Sequence, residues 1–143
     1  MPRIKLEIPE KIIASVTIPV RITDINYGNH VGNDAFVGII HEARMQWLSK
    51  HNYTEINIEG IGLIMSELVI EFKKEAFYGD QIQVRISAGE ISRVGFELFY
   101  QLYTERDKET TLLAHAKTGM VCYNYNEKKV AVVPQALKQL LLY

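Results

Sequence analysis

The sequence predicts an α+β domain in which one amphipathic helix lies against a single antiparallel sheet. Two features carry the prediction. Phe36, Ile39, Ile40, Ala43 and Trp47 recur at the spacing of one helical face. From Leu63 to Tyr125 the apolar period drops to two almost without interruption. A lone helix of this kind must bury its stripe against the only sheet available, so the sheet is expected to wrap around it.

Ile12 to Ile22 is rich in Ile, Val and Thr and holds Pro19, which reads as a first strand that bends or runs at an edge. Thr23 to Asn33 then changes to Asp, Asn, Gly and His, the composition of a polar loop. Gly32 or Asn33 caps the following helix, Asp34 charges its first turn, and the apolar stripe predicts about four turns. Beyond Gly60-Ile-Gly62, Leu63 to Lys74 reads as a long strand and Phe77 to Asp80 as a turn. Gln81 to Ser87 alternates strictly, Val94-Gly95 turns the chain, and Phe96 to Thr104 and Leu112 to Tyr125 flank the charged turn Glu105 to Thr110. Pro134 opens a short helix from Gln135 to Leu142. The four later strands are expected in meander order, and no repeat or linker divides residues 1–143, so one domain is expected. Long edge strands invite a second copy, which predicts a homodimer or a dimer of dimers.

Composition narrows the function. Sixteen Lys and Arg against seventeen Asp and Glu leave a net charge of −1 over 143 residues, with no basic excess to hold nucleic acid. Cys122 is the one cysteine, so no intrachain disulfide forms and a reducing cytoplasm is the expected location. Charges and prolines near the N-terminus do not resemble a signal peptide, and no apolar run suits a membrane span. The four histidines show no metal-ligand spacing, and neither a phosphate-binding Gly-Lys loop nor a Gly-x-Ser-x-Gly elbow occurs. No metal and no cofactor are expected.

The loop Thr23-Asp24-Ile25-Asn26-Tyr27-Gly28-Asn29-His30-Val31-Gly32-Asn33-Asp34 brings its polar groups to the start of the helix. Unpaired N–H groups and the positive end of the helix dipole meet there, which suits a developing oxyanion on an acyl group. Asp24, Asn26 and Asn33 also read as ordinary turn and cap residues; their density is what marks the loop. His30 is the best-placed titratable group, whereas His41, His51 and His115 have no comparable context. Gly38, His41 and Glu42 share a helical face away from the apolar stripe. Gly38 there clears room for a partner or ligand beside Glu42, or Glu42 is simply solvated. Lys73, Lys74 and Arg93 are basic positions that either meet ligand phosphates or are solvated.

The string Asp24-x-Asn26-x-x-x-His30-Val31-x-Asn33, then Phe36, then Glu42-Ala43-Arg44, resembles the hotdog-fold thioesterases of the 4-hydroxybenzoyl-CoA type. Their usual string is Asp-x-Asp-x-x-Gly-His-Val-x-Asn, an aromatic, and a helix carrying Glu-x-Arg. The resemblance implies a curved antiparallel sheet wrapped around one long central helix and dimers with two interfacial sites. It also implies hydrolysis of an acyl thioester of CoA or acyl carrier protein. Asn26 stands where that family usually carries its nucleophile or base, and an amide has no basic oxygen. The expected catalytic set is therefore Asp24, Asn26, His30 and Glu42. His30 or Glu42 would activate water, Asn26 orient it, and N–H groups near Val31 to Asp34 hold the carbonyl oxygen. Tyr27, Gly28, Val31, Asn33, Asp34 and Arg93 are expected at the substrate. Two alternatives stay open: an enoyl-CoA hydratase, from a similar Asp-x-Asn-x-x-His string, and an acyl-CoA or acyl-carrier-protein binder without turnover.

Overall fold

The apolar stripe of the central segment forms α1, Asn33–Lys50, which begins at Gly32 and ends at His51. At 18 residues it runs five turns rather than four, about 27 Å long, because Leu48, Ser49 and Lys50 continue the helix past Trp47, the last residue of the predicted stripe. Phe36, Ile39, Ile40, Ala43, Trp47 and Leu48 are buried on one side, as the period requires. Arg44 is buried with them. In the computed structural model, which describes residues 4–142, the other elements are β1 (Ala14–Pro19), a 3-10 turn (Ile22–Asp24), β2 (Gly62–Phe72), β3 (Gln81–Ile91), β4 (Gly95–Arg106), β5 (Glu109–Asn124), the two-residue β6 (Lys129–Val130) and α2 (Gln135–Leu142). Met1, Pro2, Arg3 and Tyr143 lie outside the described residues. Among the described residues, no helix is long and apolar enough to cross a membrane.

The sheet is antiparallel throughout, in the order β1-β3-β4-β5-β2, with β6 on β5. Only β3, β4 and β5 form the expected meander. β2 crosses to the far side of β5, so the strand that follows it in sequence is not its neighbour. The reason is the helix: with α1 sitting on one face, β1 and β2 take opposite edges around it. Alternate residues point inward, Ile82, Val84 and Ile86 on β3 and Leu98, Tyr100 and Leu102 on β4, all fully buried. The register slips at Met65/Glu67, Ala88/Ile91 and Leu102/Tyr103, and such bulges bend a strand and tighten its twist. The sheet thus curves around α1, the hotdog arrangement.

Local chemistry sets the strand ends. The β4–β5 hairpin is tighter than the charged run Glu105 to Thr110 suggests: Asp107 (φ 50°) and Lys108 (φ 69°) form the two-residue turn, and pairing extends to Arg106–Glu109. The first strand is shorter than Ile12 to Ile22, because Pro19 stops the ladder and Ile22 to Asp24 coil into the 3-10 turn. Asp80 Oδ2 accepts the Phe77 N–H at 2.8 Å and ties to Arg106 Nη2 at 2.6 Å, closing the turn before β3.

Candidate active site

The β1–α1 loop is held by its own polar groups. Asp24, buried at 7% exposure, accepts the Arg21 N–H at 2.8 Å on Oδ2 and Arg21 Nη2 at 3.3 Å on Oδ1. Its carbonyl takes the Gly32 N–H at 3.1 Å, fastening the loop to the helix cap. Asn26 Oδ1 accepts the Gly28 N–H at 2.8 Å, an Asx turn, so the amide NH2 is the part of Asn26 left for a ligand. Gly28 lies under the His30 ring; a Cβ there would sit 3.0 Å from His30 Nε2. Tyr27 is fully exposed at the loop tip.

His30 is oriented through Nδ1, 3.1 Å from the Val31 carbonyl, a bond that places the proton on Nδ1 and leaves Nε2 as the acceptor. Nε2 faces Glu75 Oε1 at 3.9 Å. The ring borders a recess of about 250 Å³ with Asn33, Phe36, Phe72, Lys73 and Lys74. Phe36 and Phe72 meet edge to face at 5.3 Å and make its apolar wall. At the helix start, Ala35 and Phe36 donate to the Gly32 carbonyl, which leaves the Asn33 and Asp34 N–H groups without a backbone acceptor. Val31 is not such a donor: its N–H is spent on the Ala76 carbonyl at 2.7 Å, and the residue is buried.

Glu42 belongs to a different space. A cleft of about 350 Å³ runs along α1, walled by Ile18, Pro19, Ile39 and Met45 and bordered by Arg21, Asp24, Gly38, His41 and Glu42. The place a Gly38 Cβ would occupy has nothing within 4 Å, so this glycine holds the cleft open rather than seating a neighbouring element. Glu42 Oε2 accepts Gln46 Nε2 at 2.9 Å, leaving Oε1 for a ligand. Nine residues separate Asn33 from Glu42, about 13 Å along the axis. His30 and Glu42 therefore do not converge within one chain.

Arg93 does not join either group. β3 starts at Gln81 beside Pro19 and runs away from the loop to Ile91, so Arg93 sits at the far end of the sheet, roughly 35 Å off at strand rise. The basic groups that do reach the His30 recess are Lys73, paired with Glu71 at 2.8 Å, and Lys74. One residue passed over in sequence acquires a context here. His41 Nε2 lies 2.6 Å from Glu55 Oε1, and Glu55 Oε2 accepts Arg44 Nε at 3.2 Å. No periodicity links Glu55 to α1, so nothing in the sequence pairs it with His41.

One central helix in a curved antiparallel sheet, with polar groups gathered at the helix start and a cleft along its open face, defines the class of hotdog proteins. Residues 20–141 match the model of the Thioesterase-like superfamily, and the chain belongs to that family. It is 30% identical over 119 residues to a 1,4-dihydroxy-2-naphthoyl-CoA hydrolase from Synechocystis, covering 81% of this chain and 85% of that one. Its fold is also that of the 1,4-dihydroxy-2-naphthoyl-CoA thioesterase crystal structure from Synechocystis, at 24% identity and TM-score 0.75 over 90% of this chain and 94% of that one. An aspartate-to-asparagine mutant of 4-hydroxybenzoyl-CoA thioesterase, crystallised with 4-hydroxybenzoyl-CoA, superposes with TM-score 0.80 at 17% identity, over 90% of this chain and 97% of the other.

Proposed function

We propose that this protein is an acyl-CoA thioesterase whose complete site forms between two copies of the chain. The observation that carries the reading is the open cleft at Gly38, apolar on one wall and presenting the free oxygen of Glu42. The 13 Å offset between the first turn of α1 and Glu42 is the reason for two copies. The first turn of one helix then shares a substrate with the Glu42 face of the other.

In this arrangement the thioester carbonyl oxygen points at the Asn33 and Asp34 N–H groups, where the helix dipole stabilises the oxyanion. Asn26 donates through its NH2 and holds substrate or water; it takes no proton. His30 Nε2 borders the acyl group, and Glu42 binds the water that attacks. Hydrolysis releases a free acid and CoA. Phe36 and Phe72 favour an aromatic acyl group, as do the names of the relatives. The hydratase reading requires Asp24 free to move a proton, but both its oxygens are held by Arg21. β2 supplies the surface for the second copy, because Ile64, Met65 and Phe72 stay exposed on an edge strand. A cytoplasmic location suits the one free, buried thiol.

Thiol release from a panel of aromatic and aliphatic acyl-CoAs tests the reading, beside ultraviolet detection of water addition to crotonyl-CoA. Burial pushes the Cys122 thiol up to about 11, which keeps it mostly protonated and slow toward a thiol reagent at pH 8. Glu42→Gln should lower kcat about 100-fold. No thiol released from any substrate would remove the assignment.

A further inference from the structure

The cleft at Gly38 contains a second arrangement, which deepens the thioesterase reading and rests on it. His41 borders the cleft one residue before Glu42, with its ring 58% exposed. Glu55, from the segment after α1, places Oε1 2.6 Å from His41 Nε2 as an ion-pair contact, and that buried oxygen accepts no aligned hydrogen bond among the described residues. Glu55 cannot swing away, because Arg44 Nε holds its Oε2 at 3.2 Å. Arg44 is buried in turn and donates through Nη1 to the Tyr100 hydroxyl at 3.2 Å, which meets Thr118 Oγ1 at 2.7 Å. The chain of contacts runs from the strand core to an exposed imidazole. A carboxylate that orients a histidine, itself fixed by the fold, is how a general base is held in one tautomer.

We infer that His41, oriented by Glu55, is the proton acceptor for the water held by Glu42. Turning Nε2–H onto the unsatisfied Glu55 Oε1 leaves Nδ1 its lone pair for the cleft. Water attacks the thioester carbon, forming the new C–O bond while its proton passes to His41 Nδ1, and the imidazolium is paired with Glu55. The tetrahedral intermediate then collapses, the C–S bond breaks, and the departing sulfur takes the proton from His41. The products are the carboxylic acid and the thiol, and the imidazole returns neutral. The other charged groups lining the same cleft are Glu42 on α1 and Arg21 and Asp24 from the β1–α1 loop.

The test compares wild-type protein with His41→Ala, His41→Gln, Glu55→Gln and, as a control, His51→Gln at the exposed end of α1, each checked by thermal melting. His41→Ala should lose 10²- to 10⁴-fold in kcat with KM changed less than about threefold, and added imidazole should restore rate in proportion to its concentration. Glu55→Gln should fall between His41→Ala and wild type, and His51→Gln should match wild type. His41→Ala retaining its rate, or a loss that imidazole does not rescue, would overturn the assignment while leaving the thioesterase reading intact. If wild-type protein hydrolyses no thioester, that reading fails first and nitrogen NMR of the His41 ring decides the dyad. A protonated Nε2 that depends on Glu55 upholds it, and a protonated Nδ1 rejects it.

Discussion

At the scale of single residues, the loop shows how a polar side chain is spent before substrate arrives. Asn26 illustrates this, since its Oδ1 already closes the turn onto Gly28 and only its NH2 remains. An aspartate keeps that turn with one carboxylate oxygen and presents the other. Asn26→Asp is therefore expected to melt within about 2 °C of wild type. It should also raise kcat/KM about tenfold or more, roughly 1.4 kcal/mol of barrier, measured by thiol release. Tyr100 makes the opposite case. Burial pushes its phenol up, so it stays neutral and bridges Arg44 and Thr118. Tyr100→Phe leaves Arg44 Nη1 and Thr118 Oγ1 short of that partner and should cost about 1–3 kcal/mol in denaturant unfolding.

At the scale of elements, α1 carries two faces with separate duties. Its inner face packs Trp47, Ile40 and Leu48 into the sheet, and its outer face is interrupted at Gly38. A glycine inside a helix weakens it by about 0.5–1 kcal/mol against alanine, with no packing need to justify it here. Gly38→Leu separates the two duties. It should raise the melting temperature, because the helix gains propensity and the added Cβ meets no neighbour within 4 Å, while kcat/KM falls about 100-fold as the cleft fills. A loss of both stability and activity would mean that Gly38 seats a neighbouring element instead.

At the scale of the whole molecule, the prediction concerns assembly. β2 is an unpaired edge carrying Met65 at 40% exposure and Ile64 at 38%, and an added lysine on such an edge blocks pairing. If the site forms between two copies as proposed, Met65→Lys should give a monomer in light scattering and abolish thiol release, because the first turn of one helix then loses the Glu42 face of the other. Mixing His30→Ala with Glu42→Gln should restore part of the activity through mixed dimers that hold one intact site. Two inactive variants that stay inactive after subunit exchange would place the whole site within one chain.

The order of elements, the buried face of α1 and the loop that serves its start were legible from periodicity and residue type, since burial of an apolar stripe is a local demand. The loop string also carried the family. Other features depended on contacts between distant segments, which no local pattern encodes. The crossing of β2 to the far side of β5 follows from wrapping a sheet around a helix, and α1 gained a turn beyond its stripe because helix propagation costs little once begun. Val31 lost its place as a donor because Ala76 took its N–H, and Arg93 was carried off by the length of β3. His41 looked idle until the fold brought Glu55, itself held by Arg44, against it. Residue spacing along a chain specifies which face a side chain shares, whereas a proton path requires partners that only three-dimensional packing can supply.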